Sequence, residues 1–262
     1  MAQSQEAFSE SHRSSGRPIR SLRVLQCGRA EQHEEHRYGS TRPQLAWVFF
    51  GKRWVPLPLQ CFLIEHRDGL VLFDTGIDPA IVSDVTYIKQ AIDRFLLRRI
   101  FHLQLSERDR IDRVLTDAGV DAGDIKTAII SHLHFDHAGG GTARGADGSV
   151  RPAFPDARYV VSAGEYEFAR LDNERVRASY MADNFEPLSE AGCLELVEAG
   201  TEIVPGIRME HTPGHTPHHQ SVRIDLGDEE LLFLADLVPT TEFVAGMTSM
   251  VVNTQGIQRV TG

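Results

Sequence analysis

The segment 132–137 reads His-Leu-His-Phe-Asp-His and follows an apolar run directly. Neutral imidazoles and carboxylates are ligands that zinc and similar divalent metals prefer. Residues two apart in an extended segment point the same way, so His132 and His134 can grip one ion. Asp136 and His137 follow where the chain turns, so they can face a second ion. A polar loop that happens to contain histidines is the alternative, but the density of ligand types favours a metal site.

Two later segments add ligand candidates at the ends of predicted strands. The turn residues Pro213 and Gly214 follow one strand and precede His215. Asp236 ends the apolar run 231–235. Taken alone, Asp236 is equally typical of a helix cap or a solvated loop residue. Together with the histidine cluster, it is better interpreted as a ligand that bridges two ions.

These residues need strands that end beside one another, and the sequence predicts an alternation of strands and helices in two similar halves. We predict strands at 22–25, 47–50, 60–65, 70–73, 126–130, 194–197, 206–210, 221–226 and 230–234. We predict helices at 106–118 and 162–171, with capping boxes formed by Ser106 with Asp109 and by Ser162 with Glu165. Residues 1–20 are polar and lack an apolar signal-peptide core, so we expect a disordered tail. Residues 21–262 are expected to form a single domain.

Composition limits the possible partners. The 262 residues are 41% hydrophobic and carry a net charge of −10, which argues against a nucleic-acid partner. Three cysteines without a Cys-x-x-Cys pair fit a reduced, cytoplasmic setting. The sequence has no apolar run of about 18 residues, so no membrane span is expected. With nucleic acid and membrane excluded as partners, we expect a small-molecule substrate. The sequence leaves the oligomeric state open.

The motifs together resemble the metallo-β-lactamase superfamily, and most of all its N-acyl homoserine lactonase-like branch. The matching segments are His-x-His-x-Asp-His, Thr-Pro-Gly-His-Thr at 212–216, Ala-Asp at 235–236 and Phe-Asp-Thr-Gly at 73–76. The resemblance runs from about residue 22 to residue 238. It implies an α/β fold of the αββα sandwich type and a zinc-dependent hydrolase that attacks a lactone or carboxylic ester carbonyl with metal-bound hydroxide.

The resemblance also assigns roles to the individual ligand candidates. The first of two zinc ions would be held by His132, His134 and His215. Asp136 and His137 would hold the second ion, and Asp236 would bridge the two. Asp136 is also the candidate that carries a proton to the leaving oxygen.

Several neighbouring residues are expected to act without binding metal. The resemblance implies that Asp74 braces the metal-binding loop through hydrogen bonds, whereas the residues alone would equally fit an Asx turn. His211, His218 and His219 are expected to be non-ligands. Counting along the sequence places the family's active-site tyrosine near Leu194, where this chain has no tyrosine. Either Tyr180 takes over the role of that tyrosine or no residue does.

The sequence departs from the lactonases toward its end. The lactonases complete the second metal site with a histidine after the bridging aspartate, but no histidine follows His219 here, so this site is expected to lack one ligand. The tail is atypical from about residue 240 onward, and a truncated or frame-shifted ending is our hypothesis. A thioesterase, a phosphodiesterase and a non-catalytic metal-binding chain therefore stay open as alternatives.

The aromatic-rich stretch at 47–57 has two interpretations. The resemblance would place it beside the active site, where it could hold an acyl chain. Ordinary core packing is the alternative.

Overall fold

The computed structural model describes residues 17–38, 41–171, 178–238, 250–252 and 257–260. The strands are β1 (Ile19–His33), β2 (Trp54–His66), β3 (Gly69–Phe73), β4 (Phe101–Gln104), β5 (Ile125–Ile129), β6 (Thr142–Arg144), β7 (Val150–Pro152), β8 (Arg158–Ser162), β9 (Leu194–Val197), β10 (Glu202–Val204), β11 (Ile207–His211), β12 (Gln220–Asp225), β13 (Glu230–Phe233), β14 (Met250–Val252) and β15 (Ile257–Val260). The α-helices are α1 (Glu34–Tyr38), α2 (Gln44–Phe50), α3 (Ala80–Ser83), α4 (Ala91–Ile100), α5 (Ile111–Asp117), α6 (Phe135–Ala138), α7 (Ala163–Ala169) and α8 (Glu186–Glu190).

Two large sheets form the body of the fold. The first has the strand order β4-β1-β2-β3-β5-β8-β9, and the second has the order β10-β11-β12-β13-β15-β14. Strands β3, β5, β8 and β9 run parallel, so their carboxyl ends meet at one edge of the first sheet. Asp74 leaves β3 at this edge, and its backbone N–H donates to the carbonyl of Ile129 at the end of β5 (2.8 Å). The edge therefore brings the segments 73–76 and 130–137 together.

The inner faces of the two sheets pack on each other through apolar side chains. Phe62 and Phe73 come from the first sheet and Phe233 from the second, with 4.3 Å between the ring centroids of Phe62 and Phe233. The opposite face of the first sheet is covered by helices, and α5 contributes Ile111 and Leu115 to that layer. The predicted α/β class and the sandwich of two sheets with helices are confirmed. None of the described helices has the length and apolar character needed to cross a bilayer.

The prediction of a strand at 47–50 was wrong, because these residues belong to helix α2. The N–H of Gly51 closes the helix on the carbonyl of Trp47 (2.7 Å). Trp47 is buried, whereas Phe49 and Phe50 are 44% and 75% exposed. A short apolar run does not by itself distinguish a helix from a strand, and β-propensity favoured the wrong choice here.

Other element boundaries differ from the prediction as well, and two of them change how a segment is interpreted. Strand β1 begins at Ile19, so residues 19 and 20 of the expected tail lie in the first sheet, and residues 1–16 are outside the described residues. The predicted helix 106–118 is interrupted at Arg110, whose backbone is extended (φ −65°, ψ 135°). The Ser106–Asp109 pair forms as predicted, but it caps a single 3₁₀ turn at Glu107–Asp109 ahead of α5.

The predicted capping box at the start of α7 does not form. Ser162 occupies the N-cap position, but its side chain makes no capping hydrogen bond. The Glu165 side chain turns instead toward the loop that follows β5. Tertiary partners have replaced the local pairing that the sequence pattern indicated.

Candidate metal centre

Three histidines from two loops converge beside the parallel edge of the first sheet. His132 and His134 lie between β5 and α6, and His215 lies between β11 and β12. Nδ1 of His134 is 3.1 Å from Nε2 of His132 and 3.0 Å from Nε2 of His215. For zinc–nitrogen bonds of about 2.0–2.1 Å in a tetrahedron, ligand atoms lie about 3.3 Å apart. The three-histidine group thus has nearly the spacing that a tetrahedral ion requires.

A second group lies against the first. His132, His137 and Asp236 each offer a ligand atom, and these atoms lie within 4.8 Å of one another. Asp236 follows β13, and the preceding Ala235 adopts a left-handed backbone (φ 44°) that is costly for a residue with a side chain. One oxygen of Asp236 is 3.3 Å from Nε2 of His137, and the other is 3.4 Å from Nε2 of His215. The carboxylate therefore faces both groups, as a bridging ligand would.

Asp136 stands at the edge of the second group. Its nearer oxygen is 3.8 Å from Nε2 of His137, and it is not among the three residues whose ligand atoms lie closest together. The structure thus brings all six predicted ligands to one place, with five of them in the two tight groups.

Burial and charge set the protonation of these groups. Burial lowers the pKa of His132 and His134 well below the ordinary value, and neighbouring imidazoles lower it further. Burial acts in the same direction on His137, but three carboxylates, with Asp236 the strongest, raise its pKa well above the ordinary value. For Asp236, burial alone would raise the pKa, and the charge on His137 outweighs burial and lowers it strongly. At neutral pH the imidazoles of His132 and His134 are therefore uncharged, and each has one nitrogen lone pair that can bind a metal.

The hydrogen bonds fix which ring nitrogens are free to bind metal. Nδ1 of His137 donates to Asp74 (2.8 Å), so Nε2, which is directed at Asp236, is the nitrogen that would bind a metal after losing its proton. Ser131 donates its hydroxyl to Asp74 (3.1 Å) and so accepts from Nδ1 of His132 (3.0 Å). The Nε2 lone pair of His132 then faces the other imidazoles. Lone pairs and carboxylate oxygens that converge in this way are satisfied by a cation, so the residues present fit a metal centre.

Asp74 organises this loop from a buried position. It is 2% exposed, and it accepts hydrogen bonds from the backbone N–H of Ser131 (2.8 Å), from the Ser131 hydroxyl and from His137. Its own backbone is left-handed (φ 57°), a conformation that aspartate and asparagine tolerate better than most residues. The bracing contacts that the resemblance implies for Asp74 are present.

Glu165 is a site residue that the sequence reasoning missed. It is fully buried and accepts from the backbone N–H of Leu133 (3.1 Å), from the hydroxyl of Tyr180 (2.9 Å) and from that of Thr216 (2.7 Å). Ser162 and Glu165 have the spacing of a capping box, and that local pattern hid the long-range role. No sequence signal marked Glu165 as part of the site.

The other histidines near the site, His211, His218 and His219, belong to neither ligand group. His219 is buried with Nδ1 against Thr212 (3.0 Å), and burial lowers its pKa to about 4. His211 is exposed with Nε2 against the carbonyl of Pro217 (3.2 Å). His218 is partly buried, and its ring lies 6.2 Å from that of His211.

The two tyrosine positions differ in their relation to the site. The place near Leu194 is the amino end of β9, where Leu194 pairs with Tyr159, and this is the end of the parallel strands opposite the carboxyl edge that carries the histidines. Tyr180 lies at the site, with its ring centroid 4.7 Å from that of His134.

A small cleft opens beside the second group. It is lined by Pro58, Leu59, Gln60, Phe62, Asp74, Asp136, His137, Ala235, Asp236 and Val238. Its apolar wall comes from β2. The aromatic stretch at 47–57 contributes none of the lining residues that the structure describes, and its Trp47 and Leu57 are buried in the core.

Known proteins are similar to this chain in sequence and in fold. An N-acyl homoserine lactonase from Bacillus sp. is 32% identical over 171 residues, which cover 64% of this chain and 59% of that protein. The N-acyl homoserine lactonase AttM from Rhizobium radiobacter is 27% identical over 184 residues, covering 68% and 64% of the two chains. A solved N-acyl homoserine lactone hydrolase, with the product N-hexanoyl-L-homoserine at its catalytic metal centre, superposes with a TM-score of 0.61 at 28% identity, covering 81% of this chain and 73% of that one.

The shared part does not extend over the full length of these relatives. The chain spans about 60% of the length of the Bacillus lactonases. The family model of the metallo-beta-lactamase superfamily matches residues 54–248, about three quarters of the chain. With the two-sheet fold and the histidine groups at its edge, this match shows that the chain belongs to the metallo-beta-lactamase superfamily.

Proposed function

We propose that this chain is a zinc-dependent hydrolase that opens N-acyl homoserine lactones or closely related carboxylic esters. Its relatives support the substrate class, because the matched Bacillus and Rhizobium proteins are named N-acyl homoserine lactonases. The donor set supports the metal, because four imidazoles with two carboxylates suit zinc better than they suit magnesium or calcium.

The position of Asp236 is the observation that carries the proposal. Its two oxygens face His137 at 3.3 Å and His215 at 3.4 Å, so one carboxylate reaches both groups. His132, His134 and His215 would hold the first ion, and Asp136 and His137 the second. A bound zinc pair would supply a nucleophilic hydroxide at neutral pH and a positive charge for the developing oxyanion.

The cleft supplies the remaining parts of a lactonase. Pro58, Leu59 and Phe62 form an apolar wall that suits an acyl chain, and the Gln60 amide can pair with a substrate amide or ester oxygen. Asp136 lines the same cleft. We infer that its carboxylate accepts the proton released by the attacking water and passes it to the alkoxide that leaves when the ring opens.

The direct test joins metal analysis with a hydrolysis panel. Protein loaded with zinc should open N-acyl homoserine lactones, and His134→Ala should lose both tight zinc binding and turnover. Asp136→Asn should lower kcat by about 10²–10⁴-fold, as the loss of a general acid–base does, while the three-histidine group keeps its zinc.

Three results would contradict the proposal. Faster hydrolysis of bis(p-nitrophenyl) phosphate than of any lactone would assign a phosphodiesterase. Faster turnover of thioesters would assign a thioesterase. Much less than one zinc per chain together with no turnover would assign a non-catalytic chain. The panel should include acyl chains of several lengths, so that a length preference is not read as inactivity.

A further inference from the structure

Glu165 combines complete burial with three hydrogen-bond donors from three different segments. It lies in the first turn of α7 and has no measurable exposure. One carboxylate oxygen accepts from the N–H of Leu133 and from the hydroxyl of Tyr180, and the other accepts from the hydroxyl of Thr216. A buried carboxylate is retained only when hydrogen bonds offset the loss of its hydration. These three bonds provide that offset.

Each of the three donors adjoins a histidine of the three-histidine group. Leu133 lies between His132 and His134 in the chain. Tyr180 pairs with His134 through an isolated backbone bridge. Thr216 follows His215 directly. A single side chain thus ties together the loop after β5, the segment at 178–180 and the loop between β11 and β12.

We propose that Glu165 is a positioning residue that holds His132, His134 and His215 in the geometry required to bind one metal ion. The inference rests on the proposed metal function of these histidines. Metal affinity depends on how little the ligand loops must reorganise, because ordering a loop when the ion binds costs conformational entropy. Glu165 orders these loops already in the metal-free folded protein, so ion binding does not have to order them.

The contacts of Asp74 and Glu165 reach different histidines, apart from His132, which belongs to both groups and which Asp74 reaches through Ser131. Asp74 holds Ser131 and Nδ1 of His137, and His137 belongs to the second group. Glu165 holds Leu133 and Thr216, which lie in the two loops of the three-histidine group. Loss of Glu165 should therefore weaken the first site and leave the contacts of His137 in place.

This arrangement also assigns a role to Tyr180. Its hydroxyl proton points to Glu165, so in the folded protein the hydroxyl holds the network together. Tyr180 therefore acts on the site through the backbone of His134, with which it forms the isolated bridge, and its hydroxyl is one arm of the Glu165 network.

Two substitutions separate connectivity from packing. Glu165→Gln can keep all three bonds, because its oxygen accepts from Leu133 and Tyr180 while its NH₂ donates to the Thr216 hydroxyl, which can also accept. Glu165→Met keeps the side-chain length and volume but removes every acceptor. Tyr166→Phe is the matched control, because it removes a hydrogen bond to Glu186 (3.0 Å) from the same helix without touching the histidine loops.

The test measures zinc affinity by competition with a chromogenic chelator, and the visible spectrum of the cobalt-substituted protein. Glu165→Met should bind zinc about 10–100-fold more weakly than the wild type, the range typical of lost partners behind a ligand. It should also lose intensity in the tetrahedral cobalt band. Glu165→Gln should stay within a few-fold of the wild type, and Tyr166→Phe should be unchanged.

A second measurement needs no metal. Hydrogen exchange of the metal-free protein should show a faster Leu133 amide in Glu165→Met than in Glu165→Gln. Should Glu165→Met fail to fold, Thr216→Val and Tyr180→Phe each remove one arm, and each should weaken zinc binding.

Wild-type zinc affinity in Glu165→Met, or in both single-arm variants, would overturn the inference. Equal losses of zinc affinity in Glu165→Gln and Glu165→Met would also overturn it, because the hydrogen bonds of residue 165 would then make no difference. A wild-type protein that binds no zinc would instead overturn the proposed function itself.

Discussion

Replacing Asp74 by asparagine should disable His137 as a metal ligand with little change in the fold. Asparagine has the same shape and also tolerates the left-handed backbone of this position (φ 57°). It can keep the bond to the backbone N–H of Ser131 only if its NH₂ group faces Nδ1 of His137, which is 2.8 Å from the present oxygen. Two donors would then meet. In the neutral imidazole that metal binding requires, the single remaining proton would then sit on Nε2, the nitrogen that points at Asp236.

The alternative amide orientation is worse. It would turn the NH₂ group toward the buried N–H of Ser131, and an unsatisfied buried donor costs about 1–3 kcal/mol. The switched tautomer is therefore favoured, and it leaves Nε2 of His137 with a proton and without a lone pair. Loss of an orienting partner behind a ligand lowers metal affinity by about 10–100-fold, or roughly 1.4–2.7 kcal/mol.

The assay compares the binding of two zinc equivalents in wild type, Asp74→Asn and Asp74→Ala. In Asp74→Asn the weaker zinc equivalent should be lost first, while the three-histidine group keeps its ion and the metal-free melting temperature changes little. Asp74→Ala should also destabilise the metal-free protein, because it removes three hydrogen bonds and leaves a left-handed alanine. Unchanged binding of both equivalents in Asp74→Asn would refute the tautomer argument.

Three further outcomes test the core, the thiols and the coupling of metal to stability. Phe233→Ala should lower the free energy of unfolding by about 3–5 kcal/mol in denaturant titrations, because this fully buried ring stacks on Phe62 between the sheets. A thiol reagent should label Cys193 of the native protein before Cys27 and Cys61, which are fully buried and react only after unfolding; burial also raises the pKa of the Cys61 thiol. Equal labelling rates for all three thiols would contradict the packing of β1 on β2. Removal of zinc by a chelator should lower the melting temperature, because an ion that binds only the folded state stabilises that state. An unchanged melting temperature would argue against tight zinc binding.

The errors of the sequence analysis lie where local patterns competed with tertiary partners. The apolar residues 47–50 fit a strand and a helix equally well, and the packing of Trp47 into the core decided for the helix. The pair Ser162 and Glu165 fits a capping box, yet Glu165 finds three donors elsewhere. A helix cap contributes about 1 kcal/mol, which is less than several hydrogen bonds to a buried carboxylate provide.

The sequence by itself determined the candidate ligand set of the proposed metal centre. The segment 132–137 concentrates its ligands within six residues, so no distant packing was needed to recognise it, and the period-two strands around it follow from local hydrophobicity. Only the tertiary structure decided how the pieces meet. It placed the two oxygens of Asp236 toward two different histidines and buried Glu165 behind the ligand loops. It also brought the Sγ atoms of Cys27 and Cys61 to 3.3 Å from each other across neighbouring strands. Contacts between residues tens of positions apart depend on sheet register and packing, which leave no periodic trace in the sequence.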